Sequence, residues 1–461
     1  MAWADAPKSP QDTGDTAFML VSAALVLLMT PGLAFFYGGF VRSRNVLNTF
    51  MMSFVLMAIV GVTWILWGYS LAFSPGNSFI GGLQWLGLNG VTGDAGYYIP
   101  KAAIDAIGNV GALFVDATKG APTEGAGSYS PTIPHMAFMI YQAMFAIITP
   151  ALISGAIVER ISFKAYFWFV ILWSTFIYAP LAHMVWGIGG LIGLNGGLGA
   201  LDFAGGTVVH ISSGVSALVA AWVIGPRKTF PNQLKPPHNV PFILLGAGLL
   251  WFGWFGFNAG SALAVSGPLA TVAFVNTNTA TAGAALAWIV LEWVLKGKPT
   301  AVGIATGAVA GLVGITPAAG FVTVLGALLI GALTATACFF AVSLKSKLQF
   351  DDSLDTFPVH GVGGTCGAIL AGVFATKFAN SAGANGLLFG ETGQLFVGND
   401  PGQLVKQLAG IGITYVFAGV GTFILLKILD ATIGLRVKPE QEYQGLDINE
   451  HGEEGYNDLA G

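Results

Sequence analysis

The amino-acid sequence predicts an all-α integral membrane protein that crosses the bilayer many times. Only 9 % of its 461 residues are charged and 54 % are hydrophobic, whereas a typical soluble domain has about 25 % charged residues. Glycine accounts for 65 residues, and small residues allow membrane helices to approach closely. These observations exclude a soluble multidomain protein. A formal net charge of −4 with so few cations also argues against a nucleic-acid partner.

Eleven apolar segments are long enough to cross the bilayer as helices of about 20 residues. They lie near 16–38, 46–74, 132–158, 164–187, 202–224, 241–263, 267–294, 301–317, 319–344, 355–375 and 403–429. Residues 1–15 precede them as a polar segment without the features of a signal peptide. We therefore expect a short N-terminal segment, an eleven-helix domain over 16–429 and a tail over 430–461.

The distribution of Lys and Arg orients these spans. Fourteen of the 19 cations fall in one set of loops and ends, including Arg42, Arg160 and Arg436, and five fall in the other. Because positive charge accumulates on the cytoplasmic side, the N-terminus is expected outside and the C-terminus in the cytoplasm.

Two long loops and the tail remain outside the spans. The Gly-rich loops over 75–131 and 376–402 contain aromatic residues, which favours a structured outer cap over a linker. The tail from Arg436 onward has seven acids and two bases. Such composition alone favours a solvated segment.

Two histidines occur in matching contexts inside the spans. His210 lies eight residues after Asp202 in the fifth span, and His360 lies eight residues after Asp352 in the tenth. Eight helical residues rise about 12 Å, which brings both side chains near the bilayer midplane from opposite faces. Five spans followed by five inverted ones is the pattern of transporters with inverted repeats. We place the repeats at about 16–224 and 241–375, with 403–429 as an additional helix.

The residues alone leave several roles open for these imidazoles. They could pack against carbonyl groups, bind a haem as axial ligands, or line a narrow path for a proton or a small hydrogen-bonding solute. Glycines beside both histidines favour close helix packing over a haem pocket. Cys366 lies six residues after His360, which is not helix-face spacing, so we expect no metal site.

Aromatic residues lie near the outer ends of two spans. They include His183 and Trp186 in the fourth span, and Trp251, Trp254 and Phe257 in the sixth, with the hydroxyl of Ser261 nearby. Aromatic ring faces attract small cations, so a cluster at the outer mouth is a candidate cation site.

Together these residues resemble the ammonium transporter family (Amt/Mep/Rh), and the Amt branch most closely. The stretch from Asp202 to Arg227 follows the family signature. Further matches are Pro31-Gly32 with Phe35-Phe36-Tyr37-Gly38-Gly39, the Glu159-Arg160 pair with its preceding residues, the Trp254–Ser261 segment, Val359-His360-Gly361, and the tail motif G-L-R-V…G-L-D…H-G-E. Pro358 departs from the pattern, which more usually has glycine there.

The resemblance implies a homotrimer in the cell membrane (the inner membrane of a bacterial cell) that takes up ammonium or ammonia as a nitrogen source. Each subunit has its own pore and two inverted halves, methylammonium is an analogue of the substrate, and no cofactor or enzymatic activity is expected. It also implies that the tail is ordered and conveys regulation by a cytoplasmic PII-type protein.

The family's site residues map onto this sequence individually. The outer recruitment site would be Phe145, Trp186 and Ser261, the stacked gate would be Phe145 and Phe257, and the twin histidines would be His210 and His360. We expect Asp202 to cap a helix and order the vestibule.

An electrogenic transporter, a passive ammonia channel, an ammonium sensor and a bis-histidine cytochrome remain the alternative functions. A sensor usually has a fused signalling domain, whereas this chain ends with a tail.

Overall fold

The computed structural model describes residues 11–96, 98–99, 127–194, 196–233, 235–348 and 350–456. These residues form an all-helical bundle with isolated β-bridges and no extended strands. Ten of the described helices are long and apolar enough to cross a membrane, which confirms the predicted helical membrane class. Most of the expected 1–15 segment and residues 100–126 of the first outer loop lie outside the described residues.

The helices follow the predicted segments closely. They are α1 Thr13–Phe40, α2 Ser43–Phe73, α3 His135–Ile157, α4 Phe163–Trp186, α5 Gly206–Ile224, α6 Val240–Ala262, α7 Leu269–Lys296, α8 Ala301–Ile315, α9 Val324–Lys347, α10 Phe357–Phe374, α11 Gly402–Ile433 and the short α12 Pro439–Gln444.

Helix α8 is shorter than the other helices that match predicted spans. Its 15 residues rise about 22 Å, less than the hydrocarbon thickness of about 30 Å. It ends before Pro317, whose carbonyl oxygen accepts a hydrogen bond from the backbone N–H of Phe203. The count of eleven spans therefore stays a prediction.

Two helices begin with a wide π-helical turn. These turns cover Gly206–Ile211 in α5 and Phe357–Val362 in α10, and they contain His210 and His360. Pro358 is compatible with α10 because it lies in the first turn of that helix. A backbone N–H at this position would have no hydrogen-bond partner within the helix, so proline loses nothing there. The departure from the family pattern at this position therefore does not break the helix.

Glycines allow backbones to pack against each other. A Cβ atom at Gly214 of α5 would overlap with the backbone N and Cα of Gly361 in α10, and one at Gly246 of α6 would overlap with the backbone of Phe36 in α1. Close approach of this kind is typical of membrane helices, whose association depends on van der Waals contact.

The second outer loop is compact. The Thr376 Oγ1 donates to the Gly390 carbonyl at 2.6 Å, and the Asn385 and Asn399 side-chain amides donate to the carbonyls of Gly398 and Leu387. These bonds agree with the structured cap that the sequence predicts for 376–402. In the described part of the first loop, Tyr129 donates to the Phe73 carbonyl at 2.8 Å.

Ion pairs lie at the opposite end of the bundle, where residues 434–456 pack; we call this the tail end. Glu159 accepts from Arg42 at 2.9 Å and from Arg227 at 2.8 Å, and Arg227 also pairs with Asp351 at 2.7 Å. Burial raises the pKa of Glu159, but the charges of Arg227 and Arg42 outweigh burial and lower it to about 2.

The tail is packed against this end and is not simply solvated, as its composition suggested. Glu442 is 2 % exposed and pairs with Arg436 at 2.8 Å. Asp447 is 1 % exposed and accepts from the backbone N–H groups of Leu47 and Asn48 in α2. The composition of the tail predicted a solvated segment because it carries no information about which backbone N–H groups will donate to its acidic side chains in the folded protein.

Candidate functional site

A cavity of about 380 Å³ opens at the end of the bundle opposite the tail. Four of the predicted site residues line it: Phe145, Trp186, Asp202 and Ser261. They come from three helices and one loop, since Phe145 lies in α3, Trp186 ends α4 and Ser261 lies in the last turn of α6. The fold therefore brings the predicted recruitment residues together.

Trp186 is held by hydrogen bonds at the end of α4. Its indole Nε1 donates to the Asp202 carbonyl at 3.0 Å. One turn earlier, the His183 ring nitrogens lie 2.9 Å from the Ala72 carbonyl and 2.7 Å from the Asn77 carbonyl. These contacts attach the end of α4 to the end of α2 and to the outer loops, and they fix the direction of the indole.

The Asp202 carboxylate caps α5. It accepts from the backbone N–H groups of Gly205, Gly206, Thr207 and Val208 at 2.7 to 3.2 Å. This geometry agrees with a capping role for Asp202.

Two aromatic rings close the floor of the cavity. The centroids of Phe145 and Phe257 are 4.2 Å apart, with 32° between the ring planes. Phe145 lines the outer cavity, whereas Phe257 lines a separate space beneath it. The ring pair therefore separates the outer cavity from the interior, which is the place of a gate.

His210 and His360 are in direct contact below this ring pair. Their Nδ1 atoms are 3.2 Å apart, and their ring planes are nearly parallel, with 18° between them. The contact arises from matching local structure, because Asp352 caps α10 through Thr356 and Phe357 as Asp202 caps α5. The equal spacing from acid to histidine in the sequence thus corresponds to equivalent turns.

The contact between the Nδ1 atoms assigns complementary roles to the two rings. One Nδ1 must carry the proton and the other must accept it, since a neutral imidazole has one donor and one acceptor nitrogen. The Nε2 atoms of the two rings therefore have opposite roles, one accepting and one donating. The Nε2 of His210 is buried and has no hydrogen-bond partner among the described residues. The pair can thus offer both a donor and an acceptor to a solute.

The space around the histidines is narrow and mostly apolar. Two cavities of about 10 Å³ each lie on this path, and His360 lines both. That volume suits a species of about the size of one water molecule. The upper cavity is walled by Met29, Leu33, Ile148, Leu152, Leu250 and Val309 together with aromatic rings.

This arrangement does not fit a haem held between the histidines. The direct contact of the two Nδ1 atoms leaves no room for a macrocycle between the rings. Among the described residues, no group of three or more His, Cys, Asp or Glu side chains could hold a metal ion.

Comparison with known proteins identifies the family. The model of the Ammonium Transporter Family matches residues 17–456. The chain belongs to the ammonium transporter family. It is 49 % identical to a Bacillus subtilis protein named ammonium transporter, over 96 % of this chain and 99 % of that one. It is 42 % identical to ammonium transporter Amt1 of Archaeoglobus fulgidus, with 96 % and 99 % covered.

Solved structures of the family have the same fold. Mep2 of Saccharomyces cerevisiae aligns with a TM-score of 0.78 at 34 % identity, covering 94 % of this chain and 89 % of that one. A structure titled Sensor Amt Protein aligns with a TM-score of 0.77 at 28 % identity, covering 95 % and 98 %. These relatives include proteins named as ammonium transporters and one titled as a sensor.

Two residues at the outer site were missed by the sequence analysis: Tyr141, which contacts the cavity residue Ser261, and Gln142, which lines the cavity. The Tyr141 hydroxyl lies 3.2 Å from the Ser261 Oγ and within hydrogen-bond distance of the Gly256 and Phe257 carbonyls. Gln142 lines the outer cavity, and its Oε1 is buried without a partner among the described residues. Both precede Phe145 by three or four residues and so share its helix face, which is the signal that could have revealed them.

Proposed function

We propose that this protein transports ammonium by binding it in the outer cavity, removing one proton, and conducting ammonia past the twin histidines. Membership of the ammonium transporter family supports the substrate. The observation that carries the mechanism is the contact between His210 and His360 beneath the paired rings of Phe145 and Phe257.

The outer cavity suits a small cation with N–H donors. Ring faces of Phe145 and Trp186 attract positive charge, and their planes meet at 84° with centroids 5.8 Å apart. Ser261 donates to the Phe257 carbonyl at 2.9 Å, so its lone pairs can accept from the ligand. The buried Gln142 Oε1 supplies a second acceptor. Ammonium, which has four donors and no acceptor, satisfies both.

Deprotonation lowers the cost of entering the interior. A charge near the bilayer centre costs at least about 2.5–3.5 kcal/mol, and the walls beneath the ring pair are largely apolar. Neutral ammonia avoids that cost, and it both donates and accepts hydrogen bonds. The Nε2 atoms of the histidine pair, one donor and one acceptor, then replace the water that ammonia has lost.

We assign the remaining architecture on the same basis. The chain spans the membrane eleven times, in repeats at about 16–224 and 241–375 followed by 403–429, with its N-terminus outside. The equivalent capped turns of α5 and α10 support the inverted repeats, and the arginine-rich tail end supports a cytoplasmic C-terminus. Following the family resemblance, we propose a homotrimer in the cell membrane that takes up nitrogen and is regulated through its tail (430–461) by a PII-type protein.

Current recording tests the substrate and the transported charge together. Purified protein in liposomes is exposed to an ammonium gradient without a pH gradient, with protein-free liposomes as the control. We expect uptake of ammonium and methylammonium. Uptake with a current indicates that the proton crosses as well, whereas uptake without one indicates that it stays behind. Retained ammonium binding without any flux would contradict the proposal and favour a sensor.

A further inference from the structure

A second sizeable cavity lies at the tail end, far from the outer cavity along the bundle. Its volume is about 530 Å³, and three separate segments form its walls. The junction of α1 and α2 contributes Arg42 and, in the first turn of α2, Arg44. The loop between α5 and α6 contributes Thr229, Gln233 and Lys235, and the tail contributes Tyr443.

The side chains of this cavity are rich in positive charge. Three of the six are cationic and none is acidic. Arg42 is already neutralised, because it pairs with Glu159 at 2.9 Å and donates to the Glu442 carbonyl. Arg44 and Lys235 have no ion pair or side-chain hydrogen bond with any of the residues that the structure describes.

Arg44 is also held close to another cation. Partial burial lowers its pKa, and the charge of Arg42 lowers it further. Gly445 of the tail, at a φ of 109°, packs directly against the Arg44 side chain. Arg44 and Arg42 thus line the same cavity, and Arg44 has no ion pair of its own among the described residues, although Glu159 offsets part of the repulsion from Arg42. An anion between Arg44 and Lys235 would relieve this repulsion.

We propose that this cavity binds a phosphate group carried by a phosphomonoester or phosphodiester. Guanidinium groups present N–H donors in a planar fork that matches phosphate oxygens. Lys235 adds a point charge, and the hydroxyls of Thr229 and Tyr443 add neutral donors. The volume exceeds that of a bare phosphate ion, so the phosphate can carry a substituent. Both a lipid headgroup and a soluble phosphorylated metabolite have this chemistry.

A bound phosphate would connect all three segments of the wall. Tyr443 lies one residue after Glu442, which pairs with Arg436 and accepts from the Lys228 backbone N–H. Occupation of the cavity would thus hold the tail against the loop between α5 and α6. The tail should consequently be cleaved more slowly by a protease when the ligand is present.

Binding to purified, delipidated full-length protein tests this proposal. The probes are inorganic phosphate, measured by thermal unfolding at constant ionic strength against chloride, and phosphatidylglycerol against phosphatidylcholine, measured by native mass spectrometry. The variant is Arg44→Gln with Lys235→Gln. The control is Lys298→Gln with Lys347→Gln, which removes the same charge from two exposed residues outside the cavity.

We expect one or both phosphate probes to bind to the parent protein and to the control variant roughly tenfold or more tightly than to the cavity variant. Since two charge-assisted contacts are lost, tenfold is a lower bound. Binding of phosphatidylglycerol alone supports a lipid headgroup, and binding of inorganic phosphate supports a soluble ligand. The proposal is overturned if neither probe binds the parent, or if the cavity variant and the control lose binding equally.

Discussion

At the scale of single residues, the proposed recruitment of ammonium depends on Trp186 and Ser261, which line the outer cavity from different helices. Replacing Trp186 with Ala removes a ring face worth about 2 kcal/mol to a desolvated cation. Replacing Ser261 with Ala removes a hydrogen bond to a charged ligand, worth about 1.5–3 kcal/mol. We predict that each change weakens apparent ammonium affinity roughly tenfold or more and reduces discrimination against potassium, which has no N–H donors.

Transport measured against ammonium concentration, with and without potassium, checks this prediction. Gel filtration should show that both variants assemble like the parent, since neither residue belongs to the deepest packing. Unchanged affinity in both variants would show that Trp186 and Ser261 do not form the recruitment site.

Glu159 makes the stability of the tail end depend on pH. Its pKa is lowered from 4.5 to about 2 by Arg227 and Arg42, against the effect of burial. A carboxyl group with a lowered pKa stabilises the folded state above its unfolded pKa, and that contribution is lost as the pH falls towards the folded pKa. We predict that Glu159→Gln lowers the free energy of unfolding by on the order of 3 kcal/mol at pH 7, and by clearly less at pH 3.

Thermal unfolding of the parent and variant between pH 3 and 7 measures this difference. The control is Glu391→Gln, because Glu391 is 70 % exposed and pairs weakly with Lys377 at 3.5 Å; we expect little change from it. A difference for Glu159→Gln that stays constant over the whole pH range would contradict the assigned cause.

At the scale of helices, the contact between α5 and α10 sets the spacing of the twin histidines. A Cβ atom at Gly214 would overlap with backbone atoms of Gly361, which cannot rotate away. We predict that Gly214→Ala separates the two helices, destabilises the protein by about 1–3 kcal/mol and greatly reduces flux. Gly412→Ala in α11 is the matched control, because a Cβ there meets no atom within 4 Å. Equal stability and flux in the two variants would show that this contact is not critical.

The tail also acts at this scale, because its acids cap two membrane helices. Asp447 accepts from the N–H groups of Leu47 and Asn48, and the Glu450 Oε2 accepts from the Phe163 N–H at 2.8 Å. Each lost cap costs about 1 kcal/mol. We predict that Asp447→Asn with Glu450→Gln, and more strongly deletion after Leu435, reduces transport without dissociating the proposed trimer. Glu454→Gln, which changes an exposed acid, is the control; full activity of the truncated protein would show that the tail is dispensable.

At the scale of the whole molecule, long apolar segments predict most of the fold because only helices satisfy their backbone within lipid. Hydropathy located the helices, and the spacing of His210 and His360 from their acids indicated equivalent positions. The π-helical turns were not predictable, since they depend on tertiary contacts such as the Asp202 and Asp352 caps. Hydropathy likewise carries no information about pairings across hundreds of residues, such as that of Asp447 with α2.

The candidate site, like the fold, was predictable from the sequence only in part. The resemblance supplied Phe145, Trp186 and Ser261, which do line one cavity. Gln142 was missed because a single glutamine in a span carries no pattern. Its proposed role depends on an Oε1 that has no hydrogen-bond partner among the described residues. The basic cavity at the tail end was missed because Arg44, Lys235 and Tyr443 come from segments far apart in the chain.

The central claim is that His210 and His360 together carry ammonia through the narrow interior, and flux through leucine variants tests it most directly. Leucine offers neither a donor nor an acceptor, so a desolvated solute loses a hydrogen bond worth about 1–3 kcal/mol, which slows flux roughly fivefold to a hundredfold or more. Initial ammonium flux should therefore fall at least this much in His210→Leu and in His360→Leu, while ammonium binding at the outer cavity stays intact. His→Glu at one position should retain more current than His→Leu and lose selectivity, and the effects of the single changes should not add. Both leucine variants conducting at the parent rate with the parent's selectivity would contradict the account.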